Sequence, residues 1–171
     1  KVVTIEQLMK QLPKPSEVEN ITITGGEPLV QVHIEYLIEL LAKRDYYVII
    51  ETNGSLKIPS IVHKIRHRVG WVIDIKLPSS GHYHLSDIQN LPVDLCNNDW
   101  IKFVIGSPVD YTEAQQIIKG FGKDFSNFAF SPIVNVVHPE YLISTFLVSN
   151  MIENKDKAVL SIQLHKLIGV K

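Results

Sequence analysis

The chain has 171 residues, 45% of them hydrophobic and 20% charged, with a formal net charge of −1. This supplies one good core, so a single domain over 1–171 is expected, and no electrostatic footprint for nucleic acid or an anionic membrane. No apolar run reaches the roughly 18 residues of a membrane span and no secretory leader is read at the start; the lone cysteine, Cys96, excludes internal disulfides and fits a reducing cytoplasm.

Taken in order, residues 4–12 predict a helix capped by Thr4, with Ile5, Leu8, Met9 and Leu12 as its apolar stripe and Pro13 and Pro15 as its stop. A strand follows in Ile21-Thr22-Ile23-Thr24 and runs into Gly25-Gly26-Glu27-Pro28. The spacing predicts a second helix over about 31–44, with Ile34, Leu37, Ile38 and Leu41 inward. A strand over 46–51 then ends in the turn signal Thr52-Asn53-Gly54. Pro59 opens a helix over 60–68, and Trp71 to Leu77 is a strand broken by Pro78-Ser79-Ser80-Gly81. Residues 82–99 are the least regular. Trp100 to Ile105 is a strand, 110–119 a helix capped by Asp110 or Thr112, Phe128 to Ser131 a strand, 139–153 a helix and 158–168 a final strand.

Six strands mostly separated by helices imply parallel βαβ units with right-handed crossovers. The strands are less uniformly apolar than a sheet buried on both faces demands. Val72, Asp74 and Lys76 share one face, opposite Ile73 and Ile75; Ser161, Gln163 and His165 share another, opposite Leu160, Ile162 and Leu164. The expected fold class is α/β, a partial barrel of about six mostly parallel strands whose concave side holds a polar ligand.

Polar clusters mark the C-terminal ends of these strands. Gly25 and Gly26 remove two Cβ atoms where a ligand could lie against the main chain, and Glu27 places a carboxylate beside them. A tight turn with Glu27 at a helix N-terminus explains that stretch equally well on its own. The same end of the sheet, however, also collects Glu51-Thr52-Asn53-Gly54, Asp74-Ile75-Lys76, Ser131-Pro132 and Gln163-Leu164-His165, which a purely apolar core does not need. No Walker loop or Gly-x-Gly-x-x-Gly fingerprint is present. His63 and His67 have helical spacing for a metal but no third ligand, and a solvated basic face is the better reading. His82 and His84 read as surface loop, and Cys96 as a structural or incidental thiol.

Gly-Gly-Glu-Pro after a strand, followed by Glu-Thr-Asn-Gly on the next, resembles the core of radical S-adenosylmethionine enzymes. Asp74-Ile75-Lys76-Leu77-Pro78-Ser79-Ser80-Gly81 and Gln163-Leu164-His165-Lys166 resemble the 7-carboxy-7-deazaguanine synthase family within it. The resemblance covers about 4–171. It implies a cytoplasmic enzyme that converts 6-carboxy-5,6,7,8-tetrahydropterin to 7-carboxy-7-deazaguanine on the way to queuosine or archaeosine. It further implies S-adenosylmethionine, a [4Fe–4S] cluster and Mg²⁺ as cofactors, an external electron donor, and a homodimer, the common assembly of family members.

By the same resemblance Gly25, Gly26 and Glu27 hold the methionyl group, Lys76 meets its carboxylate, and Asn53, Asp74 and Ser131 serve ribose and adenine. Thr52, Gln163 and His165 face the pterin. The family's three cluster cysteines, its first strand and its Mg²⁺ position have no counterpart here, and the first residue is Lys1 rather than methionine. The expectation is an N-terminally truncated chain, inactive alone, with no catalytic residue and no metal ligand of its own. Glu27→Gln in the full protein should abolish turnover with little loss of fold. Two alternatives stay open. One is an activase of a glycyl-radical enzyme, in which Gln163 and His165 would have no reason to be polar and inward. The other is a non-catalytic S-adenosylmethionine or nucleotide-binding module, which would carry no iron.

Overall fold

The computed structural model describes residues 3–81, 95–121, 127–133, 136–148 and 158–162. Helix α1 (Ile5–Gln11) starts where its spacing predicts. The Thr4 hydroxyl accepts from the Gln7 amide at 3.2 Å, and the Gln7 side chain accepts from the Thr4 amide at 3.0 Å. Strand β1 (Asn20–Ile23) leads through a 3₁₀ turn, Pro28–Val30, to α2 (Ile34–Lys43). The helix starts three residues later than its periodicity predicts because Gln31 leaves the turn extended (φ −75°, ψ 125°). Its buried stripe is Ile34, Ile38, Leu41 and Ala42. Asp45, at a φ of 68°, turns the chain into β2 (Tyr47–Thr52).

The stretch Ser60–Arg68 is a 3₁₀ helix interrupted at Ile65 (φ −118°), and the Arg66 guanidinium donates to the Val69 carbonyl at 3.1 Å where the next strand begins. Then follow β3 (Val69–Ile75), β4 (Trp100–Ile105), α3 (Pro108–Gly120), β5 (Phe128–Pro132), α4 (Pro139–Val148) and β6 (Ala158–Leu160). The cap of α3 corrects the sequence reading: it is Ser107, whose hydroxyl accepts from the Asp110 amide at 3.2 Å, with Pro108 in the first helical position. Asp110 and Thr112 lie inside the helix. The expected continuation of α4, to 153, lies outside the described residues. The final strand is shorter than expected: β6 ends at Leu160, and Ser161 and Ile162 have left the strand, although the Ser161 amide still donates to the Phe130 carbonyl at 2.8 Å. Residues 163–168 lie outside the described residues.

All five strand pairings are parallel, and the spatial order β1-β2-β3-β4-β5-β6 is the chain order. A parallel sheet whose strand order never reverses direction has barrel winding rather than double winding. The partial α/β barrel stands. On the covered face, Val48, Ile50, Trp71, Ile73, Ile75, Ile101, Phe103, Ile105 and Phe130 are essentially inaccessible and pack against Ile38 and Leu41 of α2 and Ala114 of α3. Each contributes about 1.5–3 kcal/mol of burial. On the opposite face, Ile49, Glu51, Val72, Asp74, Trp100, Lys102 and Val104 are half-buried or exposed. That alternation leaves one face of the sheet for a ligand.

Candidate functional site

The loops that follow β1 to β4 and the last residues of β5 gather at the C-terminal ends of the strands, where open α/β sheets take ligands. After β1, a Cβ added at Gly25 or Gly26 would meet no atom within 4 Å among the described residues. Packing does not require either glycine, so the bare backbone faces open space. The contrast is Gly106, after β4, where a Cβ would lie 2.4 Å from the Ser79 hydroxyl and 2.8 Å from Ile133.

Glu27 is half-buried and braces the site. Its Oε1 accepts from the Leu29 amide at 3.0 Å and from the Thr52 hydroxyl at 2.9 Å. Its Oε2 accepts from the Asn53 amide at 2.8 Å and lies 3.0 Å from the same hydroxyl. One carboxylate thus ties the end of β1 to the end of β2. The Thr52 hydroxyl also accepts from the Gly54 amide at 3.2 Å, and Asn53 Oδ1 accepts from the Ser55 amide at 2.9 Å, closing the Thr-Asn-Gly turn. Thr52, expected to face a ligand, is 4% exposed with its hydroxyl committed to Glu27. Even residues of β2 point to the core, and Glu51 takes the exposed place beside it.

On the concave face Asp74 lies opposite Lys102 in the β3–β4 register, with 3.3 Å between carboxylate and ammonium; the Lys76 ammonium is 3.8 Å away on the other side. Sequence reasoning singled out Asp74 and Lys76 but missed Lys102. Its signal was a single cation in the apolar run Trp-Ile-Lys-Phe-Val-Ile. Ser131 belongs to the same face by its register with Val104, although it is 2% exposed. Gln163 and His165 lie outside the described residues, as do His82 and His84.

A second buried carboxylate was also missed as a site feature. Asp110 accepts from the Ser79 amide at 2.9 Å, from the Gly106 amide at 2.7 Å and from the Ser79 hydroxyl. It joins the Pro78–Ser80 turn after β3 to the loop after β4. Cys96 occupies the opposite ends of the strands. Its amide donates to Asp99, which is inaccessible, paired with Arg66, and also holds the Trp71 amide at 2.9 Å. Nearby, burial pushes the Tyr47 hydroxyl pKa above its ordinary value, with Cys96 adding to the shift and Arg66 opposing it. The thiol is part of a structural turn. Among the described residues no three His, Cys, Asp or Glu side chains form a metal-binding group.

An open groove of about 1160 Å³ runs past Gly25 and Gly26 between α1 and the start of α2, lined also by Ile5, Leu8, Ile23 and Tyr36. It gives the bare strand end direct access from outside. The described groups at this end of the sheet are an anion at Glu27 and, paired around Asp74, two cations at Lys76 and Lys102.

Comparison with known proteins agrees with this geometry. The Radical SAM superfamily profile matches residues 1–76. The 7-carboxy-7-deazaguanine synthase of Clostridium acetobutylicum is 34% identical over 157 residues, 91% of this chain and 68% of that protein. That of Chlorobaculum tepidum is 30% identical over 168 residues, 96% of this chain and 72% of that protein. The crystal structure of QueE from Escherichia coli superposes with a TM-score of 0.65 at 22% identity, over 94% of this chain and 64% of that one, a likeness of fold. The chain thus spans about two thirds of the length of these relatives. With the fold, the strand-end motifs and these identities in agreement, the chain belongs to the 7-carboxy-7-deazaguanine synthase family of radical SAM enzymes.

Proposed function

We propose that the protein contracts the ring of 6-carboxy-5,6,7,8-tetrahydropterin to give 7-carboxy-7-deazaguanine, and that this chain supplies the grip on S-adenosylmethionine. The observation that carries the reading is the bare Gly25–Gly26 backbone beside a carboxylate that is braced yet not saturated. A carboxylate offers about four acceptor sites. Glu27 accepts three donors, from Leu29, Thr52 and Asn53, which leaves one site on Oε2 for an ammonium group. Lys76 meets the methionyl carboxylate, and Asn53, Asp74 and Ser131 serve ribose and adenine. Thr52 acts on the pterin side by holding Glu27 and the turn after Glu51; Gln163 and His165 complete that side.

The residues present do not fit the [4Fe–4S] cluster that the superfamily uses. Three thiolates are needed, and this chain has Cys96 alone, bound into the far ends of the strands. No step is therefore routed through these residues to iron, and their part is to bind and orient. Mg²⁺, an external electron donor, a homodimer and a cytoplasmic setting belong to the same proposal; no described helix is long and apolar enough to cross a membrane.

The test is anaerobic incubation of the complete, cluster-loaded protein with S-adenosylmethionine, dithionite, Mg²⁺ and the carboxylated pterin, followed by mass spectrometry. Appearance of 7-carboxy-7-deazaguanine is expected. Cleavage of S-adenosylmethionine with the pterin left intact would overturn the substrate assignment.

A further inference from the structure

Asp110 has no part in the grip just described, yet its side chain is wholly inaccessible. Among the described residues no lysine, arginine or histidine pairs with it. Its carboxylate is instead stabilised by two backbone amides and a hydroxyl, and by its place in the first turn of α3. All three donors belong to loops at the ligand end of the sheet. Two come from Ser79, in the turn that follows Lys76, and the third from Gly106, which has no room for a Cβ against that same serine. The turn is closed by Gly81 at a φ of 69°, and Leu77, between Lys76 and the turn, is inaccessible. Nothing here offers a ligand a binding contact. What the cluster does is fix one loop against another.

We propose that Asp110 is a positioning residue: it locks the Pro78–Ser80 turn to the β4–α3 junction and so holds Lys76 in place over the concave face. This rests on the reading of that face as the S-adenosylmethionine site. The physical case is preorganisation. Lys76 sits on the last turn of chain before an exposed loop, and a lysine free to wander loses its affinity for a carboxylate to side-chain and loop entropy. A buried acceptor that takes both the amide and the hydroxyl of one residue leaves that loop a single orientation. Asparagine cannot replace it, because its NH₂ group would face one of the two backbone N–H donors.

The test uses the complete protein carrying Asp110→Asn or, as the gentler change, Ser79→Ala, which removes one of the three donors. Amide hydrogen exchange over 77–81 and S-adenosylmethionine affinity by calorimetry are measured without turnover, and KM and kcat in a separate turnover assay. We expect exchange of this segment to quicken in both variants while the β3 and β4 amides keep their protection. Affinity should fall on the order of tenfold in Asp110→Asn, as loss of orientation at a contact allows, and less in Ser79→Ala, with the KM for S-adenosylmethionine rising and kcat little changed. A Ser79→Ala protein with unaltered exchange and affinity overturns the inference, even if Asp110→Asn fails to fold. Loop exchange that quickens with affinity unchanged also overturns it, since Asp110 would then be structural only. If the unaltered protein does not bind S-adenosylmethionine, the site reading itself falls, and the ligand half of the inference falls with it.

Discussion

Gly26 and Glu27 are neighbours with opposite relations to the fold. A Cβ at residue 26 meets nothing within 4 Å among the described residues, so Gly26→Ala should unfold at the same denaturant concentration as the unaltered protein. Its cost should appear only when a ligand approaches the strand end, as a loss of S-adenosylmethionine affinity in calorimetry. Equal affinity would show that no ligand comes close to this backbone. Glu27→Gln should behave differently. Whichever oxygen becomes NH₂, either the Leu29 or the Asn53 amide loses its acceptor, so the substitution should lower stability by about 1 kcal/mol or somewhat more in urea unfolding, as well as weakening ligand binding. This revises the expectation that Glu27→Gln abolishes turnover with little loss of fold. The motif showed that a carboxylate stands beside a bare strand end. It could not show that Thr52, twenty-five residues on, would donate to it, because that contact depends on the β1–β2 register.

At the scale of elements, what could be read from sequence was periodicity, and what could not was the division of labour among nearby polar residues. The stripes Ile34, Ile38 and Leu41 and the alternation in β4 were plain. In Gly106-Ser107-Pro108-Val109-Asp110, by contrast, serine and aspartate are both good caps, and sequence reasoning took the wrong one. Ser107 has the extended backbone a cap requires (φ −158°, ψ 164°), which leaves the carboxylate of Asp110 free to turn toward Ser79. Ser107→Ala should therefore destabilise the protein by about 1 kcal/mol. Thr112→Ala, which loses only a hydroxyl donated back to the Pro108 carbonyl at 3.2 Å, should stay within about 0.5 kcal/mol. Thermal unfolding of the pair checks the assignment, and a larger loss at Thr112 would restore the original reading.

For the molecule as a whole, the strand–helix rhythm carried the winding, because a sheet whose spatial order repeats its chain order has one natural handedness and one helical layer. The same winding separates the two ends of the strands chemically. The C-terminal ends hold Glu27, Asn53, Lys76 and Asp110. The N-terminal ends hold the Arg66–Asp99 pair and the Cys96 turn, where Asp99 alone satisfies the Trp71 and Cys96 amides. A cubane cluster needs three thiolates within a few ångströms of one another, and the single thiol here is fixed at the end away from the proposed methionyl grip. The 171-residue chain, incubated anaerobically with ferrous iron and sulfide and then desalted, should retain well under one iron per polypeptide and show no charge-transfer absorption. It should still bind S-adenosylmethionine through Gly25, Gly26 and Glu27, because that half of the site is built from β1 and β2 alone. Iron and sulfide analysis beside calorimetry separates the two properties. Four irons retained per chain would mean that the cluster draws on ligands other than cysteine, and binding that appears only with iron would mean that the grip is not preformed in the strand ends.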